Sequence, residues 1–549
     1  MGRPDGWRLG FLLALAMCQV GCNRSAILSP GSSRVPALSA SASDGPDAFV
    51  VPLSRDRIPS DLPADCRSAI ADLYAPQSAP RVAALRVLAA GAKQASGSIP
   101  WLIALLADDT RVPDNLSTSA NGTPQYRTIA DEALRILARM GAPAIAALTA
   151  AITDFTQPPQ VRARAAVALG GLGDEGAASV LTAAQADPEP LVREAAARGF
   201  ARLPANCACQ PLCAALRDTD ARVRYCAAGA LAEVRAAEAV PALTQALHDR
   251  DGDVRLAAIK ALATLGDPHA AEAMLPLLRS GSSSDRAWAT WALGRLGDSQ
   301  MAPAVVRMAK DHDLRTRRVA LESLGMLRAG RIADLGPCLH DRDERIRATA
   351  ADALGLSDDH AAVPDLIAVL HDRAPAVVAA AAKALGKLGE VSAVPGLLEV
   401  LETDTDDHPR IEAARALGKL RDRQAVPALV RALQADRMWN VSAAAAESLG
   451  WIGDPVALDA LCEAALTSYF GIAKQAMIGL ACFEDDRALS TLVGLSRDRK
   501  PAMRVAAVIA LGRSHRPEAL PLVQHALQDE DEAVRAGARQ TLGLPALHK

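Results

Sequence analysis

Three tripeptides place a histidine against an aspartate: Leu247-His248-Asp249, Leu339-His340-Asp341 and Leu370-His371-Asp372. Such a pair is raw material for a general base or a metal ligand. Either chemistry needs further groups converging on one point. Here the three copies instead recur at one position of a periodic pattern, where each histidine closes a helix and favours the negative end of its dipole. Cys207, Cys209 and Cys213, with Cys226 one helix later, form the one cysteine cluster. They lack paired C-x-x-C spacing and accompanying histidine, so metal ligation, a disulfide and free core thiols are the three readings open to them. Cys66, Cys338, Cys462 and Cys482 stand alone in apolar helical patterns and read as small buried hydrophobes. The sequence has no phosphate-binding glycine motif, no H-E-x-x-H and no G-x-S-x-G.

Another set of charged residues recurs far more often. Aspartate precedes arginine by six residues in Asp187/Arg193, Asp218/Arg224, Asp249/Arg255, Asp311/Arg317, Asp341/Arg347, Asp404/Arg410, Asp498/Arg504 and Asp529/Arg535. An active site has no use for eight copies. A bidentate arginine–carboxylate contact repeated along an array fixes orientation instead, with each bridge modest in energy.

The elements that carry these residues are internal repeats. Aligned on the last leucine of V-R-x-x-A-A-x-A-L-G, the copies fall at Leu169, Phe200, Leu231, Leu262, Leu293, Leu324, Leu354, Leu385, Leu417, Leu449, Leu480, Leu511 and Leu542, every step 30 to 32 residues. Two looser copies, at Leu88 and Leu134, make about fifteen units. Apolar residues recur at three- and four-residue spacing in two runs per unit, such as 394–401 and 410–420, which predicts two helices. Gly266-Asp267-Pro268 and Gly453-Asp454-Pro455 supply a glycine stop, an aspartate N-cap and a proline at N1. Prolines 241, 364, 395 and 427 fall slightly inside the first helix and should bend it. One helix pair cannot cover its own apolar face, so the units must stack into a superhelix. The expected fold is an all-α solenoid over residues 61–549. Residues 61–152 hold irregular first repeats, and a Ser-, Thr-, Asn- and Pro-rich insertion at about 108–124 is expected as a surface loop.

This pattern resembles the HEAT repeat, and in particular the short HEAT-like repeats shared with phycobilisome lyases. The resemblance implies that the Asp/Arg pairs form a hydrogen-bonded ladder between repeats, each arginine reaching carboxylates of its own and the adjacent unit. It also brings in two enzyme families as the alternative to a scaffold. Deoxyhypusine hydroxylases use His-Glu pairs at a di-iron site, and no histidine here precedes a glutamate. Bilin lyases offer no residue that maps onto this chain. The expectation is a non-enzymatic binding protein without cofactor.

Half of the residues are apolar but only 3% aromatic, which suits thin alanine- and leucine-rich helices rather than strands. A net charge of −3 gives no concentrated basic surface for nucleic acid. At the N-terminus, Arg3 and Arg8 flank a short segment and Leu9–Met17 is an apolar run too short to span a bilayer. The following Gln19-Val20-Gly21-Cys22 resembles the lipobox of bacterial lipoprotein signals, although Gln19 stands where leucine is usual. The resemblance implies that residues 1–22 are a signal peptide, that Cys22 is lipidated, and that the chain sits at a bacterial envelope membrane. Cleavage at a small residue, giving a soluble exported protein, is the alternative. Residues 23–60, rich in Ser, Ala and Pro, read as a tether.

What is left for function is a surface. Positions one, five and nine after the arginine column of the second helix should face the concave side, and their residues vary from unit to unit. Lys383, Lys387, Arg415 and Lys419 there should form one positive patch, a dock for an acidic protein segment or an anionic glycan. Trp439, Trp451, Tyr469 and Phe470 fall in two successive units where Ser442 and Ala473 replace the ladder arginine. Trp288 and Trp291 mark a unit with Ser280 in place of aspartate, with Trp291 beside Arg295 on the variable row. Tryptophan and tyrosine dominate binding hot spots.

Overall fold

The computed structural model describes residues 53–92, 94–118 and 124–544, with the side chains of 112–127 left out of the description. Among these residues the chain is an α-solenoid of fifteen helix pairs, as the repeat predicts. The pair around Leu417 shows the unit. A 3-10 turn, Val391–Ala393, runs into the first helix, Val394–Thr403, and the second helix, Asp407–Leu420, returns antiparallel to it. Pro395 sits in the first turn of the α segment, where no N–H is required, so the expected bend appears as a change from 3-10 to α winding. Six of the described second helices open on aspartate caps; at one, the Asp251 carboxylate accepts the N–H groups of Asp253 and Val254. Gly266 then closes that helix in the left-handed conformation, at φ 73°.

The leucine column forms the spine of the core. Leu231, Leu262, Leu293, Leu324, Leu354, Leu385, Leu417 and Leu449 are all fully buried, and the core cluster runs unbroken from Leu62 to Ala538. Second helices approach one another almost backbone to backbone. A Cβ on Gly386 would lie 2.7 Å from Cα of Ala416 in the next second helix. That layer is the tighter one, so the stack curves toward it and the second helices line the concave side.

Three readings of the sequence are corrected. The insertion expected as a loop is a β-hairpin: β1 (Arg111–Thr118) pairs antiparallel with β2 (Pro124–Thr128), Arg111 opposite Thr128 and Val112 opposite Arg127. Its Val112, Thr118, Tyr126 and Thr128 are strand formers, hidden by the polar average of the segment. The second unit aligns on Leu137, which is fully buried, rather than on the partly exposed Leu134. Both share one helical face at a spacing of three, and the left-handed Gly141 fixes the choice as Gly173 does one unit later. Lastly, residues 53–60 are not all tether. The hydroxyl of Tyr74 donates to the Leu53 carbonyl at 2.5 Å, and the Arg55 guanidinium lies over the Tyr74 ring.

Glycine-to-alanine changes inside helices ordinarily stabilise, by up to about 1 kcal/mol. Gly386→Ala should do the opposite, lowering stability by about 1–3 kcal/mol because the added methyl meets a helix backbone. Gly229→Ala, where a Cβ would meet nothing within 4 Å, should stabilise. Denaturant unfolding of both variants checks the pair, and equal signs would refute the close packing.

Candidate interaction surface

The ladder is built differently from its sequence spacing. Arg193 does not reach the carboxylate of Asp187 in its own unit. It donates from Nη1 to the main-chain carbonyl of Asp187 at 2.9 Å, while Nε and Nη2 bind the Asp218 carboxylate of the next unit at 2.7 and 2.9 Å. The same fork joins Arg224 to Asp249 at 2.6 and 2.8 Å, Arg410 to Asp436 at 3.1 Å for both bonds, and Arg504 to Asp529 at 2.9 and 2.8 Å. Each aspartate also accepts the N–H two residues on, as Asp218 does from Asp220 at 2.8 Å. One carboxylate thereby fixes its own interhelical turn and receives the preceding repeat.

Several rung members lie outside the six-residue motif. Arg81 pairs with Asp108, Arg162 with Asp187, Arg286 with Asp311, and Arg347 with Asp372. Where Ser280 replaces aspartate, Arg255 takes Asp285 instead, and Ser280 donates to the same carboxylate at 3.0 Å. The weakest rung is Arg317 to Asp341, at 3.5 Å. Arg535, expected as a rung partner of Asp529, is corrected: it makes only the backbone half of the fork. Its Nη1 donates to the main-chain carbonyls of Asp529 and Glu530 at 2.7 and 2.8 Å. The Asp529 carboxylate is taken by Arg504, and among the described residues no following repeat offers Arg535 another. Arg535 therefore clamps its own turn and joins no two units.

The rungs are buried rather than superficial: the Arg224 and Asp249 side chains are 6% and 10% exposed. An ion pair out of water is held by its geometry and is costly to leave half-made, which raises the modest value expected at a surface. The Arg224 hydrogen bond, opposed by partial burial, holds the Asp249 carboxyl below its ordinary range, and Arg504 does the same for Asp529.

Lys383, Arg415, Lys387 and Lys419 do come together across two adjacent second helices, Pro375–Leu388 and Asp407–Leu420. They do not form a bare positive patch. At position five after the arginine column, the two cations are flanked by carboxylates: Lys383 binds Asp352 of the preceding unit at 2.8 Å, and Arg415 lies 3.0 Å from Glu412 and 3.8 Å from Glu447 of the next. At position nine, Lys387 and Lys419 are exposed and make no ion pair among the described residues. Crowding by its surroundings and by Lys383 holds the Lys387 ammonium below its usual range. The same row continues through exposed Met326 and Leu356 on one side and partly buried Trp451 on the other. Met326 and Leu356 escaped the sequence reading, although counting nine from Arg317 and Arg347 finds them.

A family model for HEAT repeats matches residues 125–201, 209–293, 271–331, 332–411, 394–481 and 471–543. The chain is a HEAT-repeat protein. Among solved structures it is similar to Kap121p bound to Pho4p, at 12% identity over 85% of this chain and 59% of that chain with a TM-score of 0.55. It is likewise similar to the karyopherin Kap121p bound to the SUMO protease Ulp1p, at 13% identity over 85% and 58% of the two chains with a TM-score of 0.55. The chain therefore spans less than two thirds of these solenoids, and the likeness is one of fold. None of the curated proteins matches it by sequence.

The aromatic residues singled out in the sequence lie in three places on this HEAT-repeat array. Trp288 and Trp291 meet edge to face at 5.5 Å, with Lys260 over Trp288 at 4.4 Å and Arg295 over Trp291 at 5.7 Å. Trp451 stands at the end of its helix among the position-nine residues. Trp439, Tyr469 and Phe470 cluster at the N-terminal ends of two successive second helices, 55%, 65% and 43% exposed, beside Leu466 at 67%. The Trp439 ring covers Gly471, where a Cβ would meet it at 2.5 Å. The four clustered cysteines are free thiols, with Cys213 pushed up to about 11 by burial beside Cys209. His248, His340 and His371 are exposed at the ends of first helices, and among the described residues no three His, Cys, Asp or Glu side chains are placed to hold a metal. Cys22 lies outside the described residues. No helix among those described is long and apolar enough to cross a membrane.

Arg224→Ala should cost about 3 kcal/mol, since it strands a buried carboxylate. Adding Asp249→Ala should cost little more, the two effects being coupled. The Asp249 carboxyl titrates lower in the fold than in the unfolded chain, so its contribution is full above about pH 4 and fades as pH falls through the depressed value. Melting temperatures measured from pH 5 to pH 3 should therefore fall less steeply in Arg224→Ala than in the parent.

Proposed function

We propose that this HEAT-repeat protein is a non-enzymatic scaffold that docks a partner protein on its concave surface at a bacterial envelope membrane. The observation that carries the reading is the division of labour along the second helices. The arginine column is spent on holding repeats together, while position nine varies and presents exposed Met326, Leu356, Lys387 and Lys419 in consecutive units, ending at Trp451. An apolar strip followed by unpaired cations and an aromatic ring suits an extended acidic segment with apolar residues beside it. Its salt-bridged neighbours at position five set register more than attraction. Solved structures of the similar solenoid Kap121p hold protein partners, among them Pho4p and the SUMO protease Ulp1p. Membrane attachment through Cys22 rests on the lipobox-like Gly21-Cys22 after a short apolar run.

A photoreactive residue at position 356, activated in cells, should give a discrete crosslinked product. Lys387→Glu with Lys419→Glu should remove that product at unchanged melting temperature. Reversal at Lys383 and Arg415 should matter less, their charges being internally compensated. A product indifferent to the Lys387/Lys419 reversal would refute the dock. For the anchor, metabolic labelling with a radioactive fatty acid should mark the protein, and Cys22→Ala should lose the label and leave the membrane fraction; label retained in the variant would refute lipidation at Cys22.

A further inference from the structure

Two consecutive rungs of the ladder lack their arginine, and they differ in what faces the gap. Ser442 is opposite a unit with Thr467 in the aspartate place, so neither charge is present, and the Ser442 hydroxyl is satisfied by the Ala432 carbonyl at 3.1 Å. Ala473 is opposite Asp498, whose carboxylate is retained. Asp498 accepts the Lys500 N–H at 2.7 Å, as rung aspartates accept their own turns, yet no cation reaches it among the described residues. The exposed Lys500 side chain makes no ion pair with it. A cavity of about 300 Å³ opens between these two units in front of the carboxylate, lined by Leu466, Thr467, Phe470, Asp498, Met503 and, at its exposed edge, Lys500.

The intact rung one unit later shows what such a place holds. Arg504 binds the Asp529 carboxylate through Nε and Nη2, and its Nη1 donates to the carbonyls of Asp498 and Arg499 at 3.1 and 3.4 Å. Shifted back one repeat of 31 residues, these acceptors become the Asp498 carboxylate and the carbonyls of Thr467 and Ser468. The acceptor set of a guanidinium is thus kept while the guanidinium is absent. Two other aspartates also lack a rung arginine, and each differs. Asp154 is saturated by the N–H and hydroxyl of Thr156 and by Gln157, and for Asp404 the arginine position of the preceding unit is taken by the buried, branched Val378. At Asp498 a retained carboxylate and an open cavity coincide, and Leu466 and Phe470 line that cavity with exposed apolar surface.

We infer that the gap at Ala473 is a receptor for an arginine side chain of a partner protein, which completes the ladder in trans. This rests on the scaffold reading and adds to it one anchor residue at the edge of the array. Lysine is a poorer occupant because one ammonium cannot span a carboxylate and two carbonyls in a single plane. A guanidinium entering there can also lie against the Phe470 ring, as rung Arg162 lies 5.4 Å over Phe155.

The test uses the full chain and acetyl-arginine-amide as probe, followed by saturation-transfer NMR at low ionic strength. The probe should bind, acetyl-lysine-amide should bind more weakly, and Asp498→Asn should weaken the arginine probe at least about tenfold, the loss of a charge-assisted pair. Ala473→Arg should fill the gap from within, raise the melting temperature and abolish probe binding. Equal probe binding by the parent and Asp498→Asn, no binding by the parent, or a lowered melting temperature in Ala473→Arg would each overturn the inference. The probe needs no partner, so failed crosslinking at position 356 and failed arginine binding are separate results.

Discussion

The bond on which the architecture depends is the arginine fork between successive repeats. Leucines and alanines make adjacent helix pairs sticky, but apolar contact has no direction and tolerates sliding and rotation. The rung removes both freedoms. Its Nη1 binds the carbonyl of its own interhelical turn, and its Nε and Nη2 bind the next turn's carboxylate, so three hydrogen bonds in one plane relate two units of the array. The aspartate in turn is held by the N–H of its own turn, which prevents the carboxylate from rotating to follow a displaced neighbour. Because the group is largely out of water, this geometry is enforced rather than optional. Curvature is then set by how closely second helices can approach, and contacts such as Gly386 against Ala416 bring them near the limit of backbone contact.

Most of this was legible in the sequence, because a strict period of 30 to 32 residues leaves little freedom in helix number or in which face is buried. Most of the leucine column and the arginine positions fall where the pattern puts them; Leu137 takes the place expected of Leu134, and the helix after Asp267-Pro268 begins only at Ala270. What the linear spacing concealed was the partner of each charge. Six residues separate Asp187 from Arg193 along the chain, yet the carboxylate that Arg193 binds is 25 residues away, and the near one offers only its backbone oxygen. A motif defined within one unit therefore missed Arg162, Arg286, Asp372 and Asp436, each the half of a rung whose local mate had been replaced. It also counted Arg535 as a rung, although that arginine has the local half of the contact alone. The cations at 383 and 415 misled for the same reason: their counter-charges, Asp352 and Glu447, occupy position five of the neighbouring units. The hairpin at Arg111–Thr118 was hidden differently, by local pairing in a segment whose mean composition is that of a loop.

In a solenoid each unit touches only its neighbours, so a sequence change acts where it occurs and nowhere else. This turns irregularity into information. Along most of the array the arginine column is constant and the exposed row varies, which separates the residues that hold the shape from those free to meet something else. At Ser442 and Ala473 the column itself gives way, and Trp439, Tyr469 and Phe470 stand exposed on those two units. Stability alone favours the opposite substitutions: an arginine where a carboxylate already waits, and a polar residue where tyrosine and phenylalanine now face water. Two departures from the most stable arrangement, superposed on one stretch of the stack, are what the proposed binding role would require and what packing alone does not. On the scaffold reading proposed above, the array is a rigid repeat whose interruptions carry the specificity.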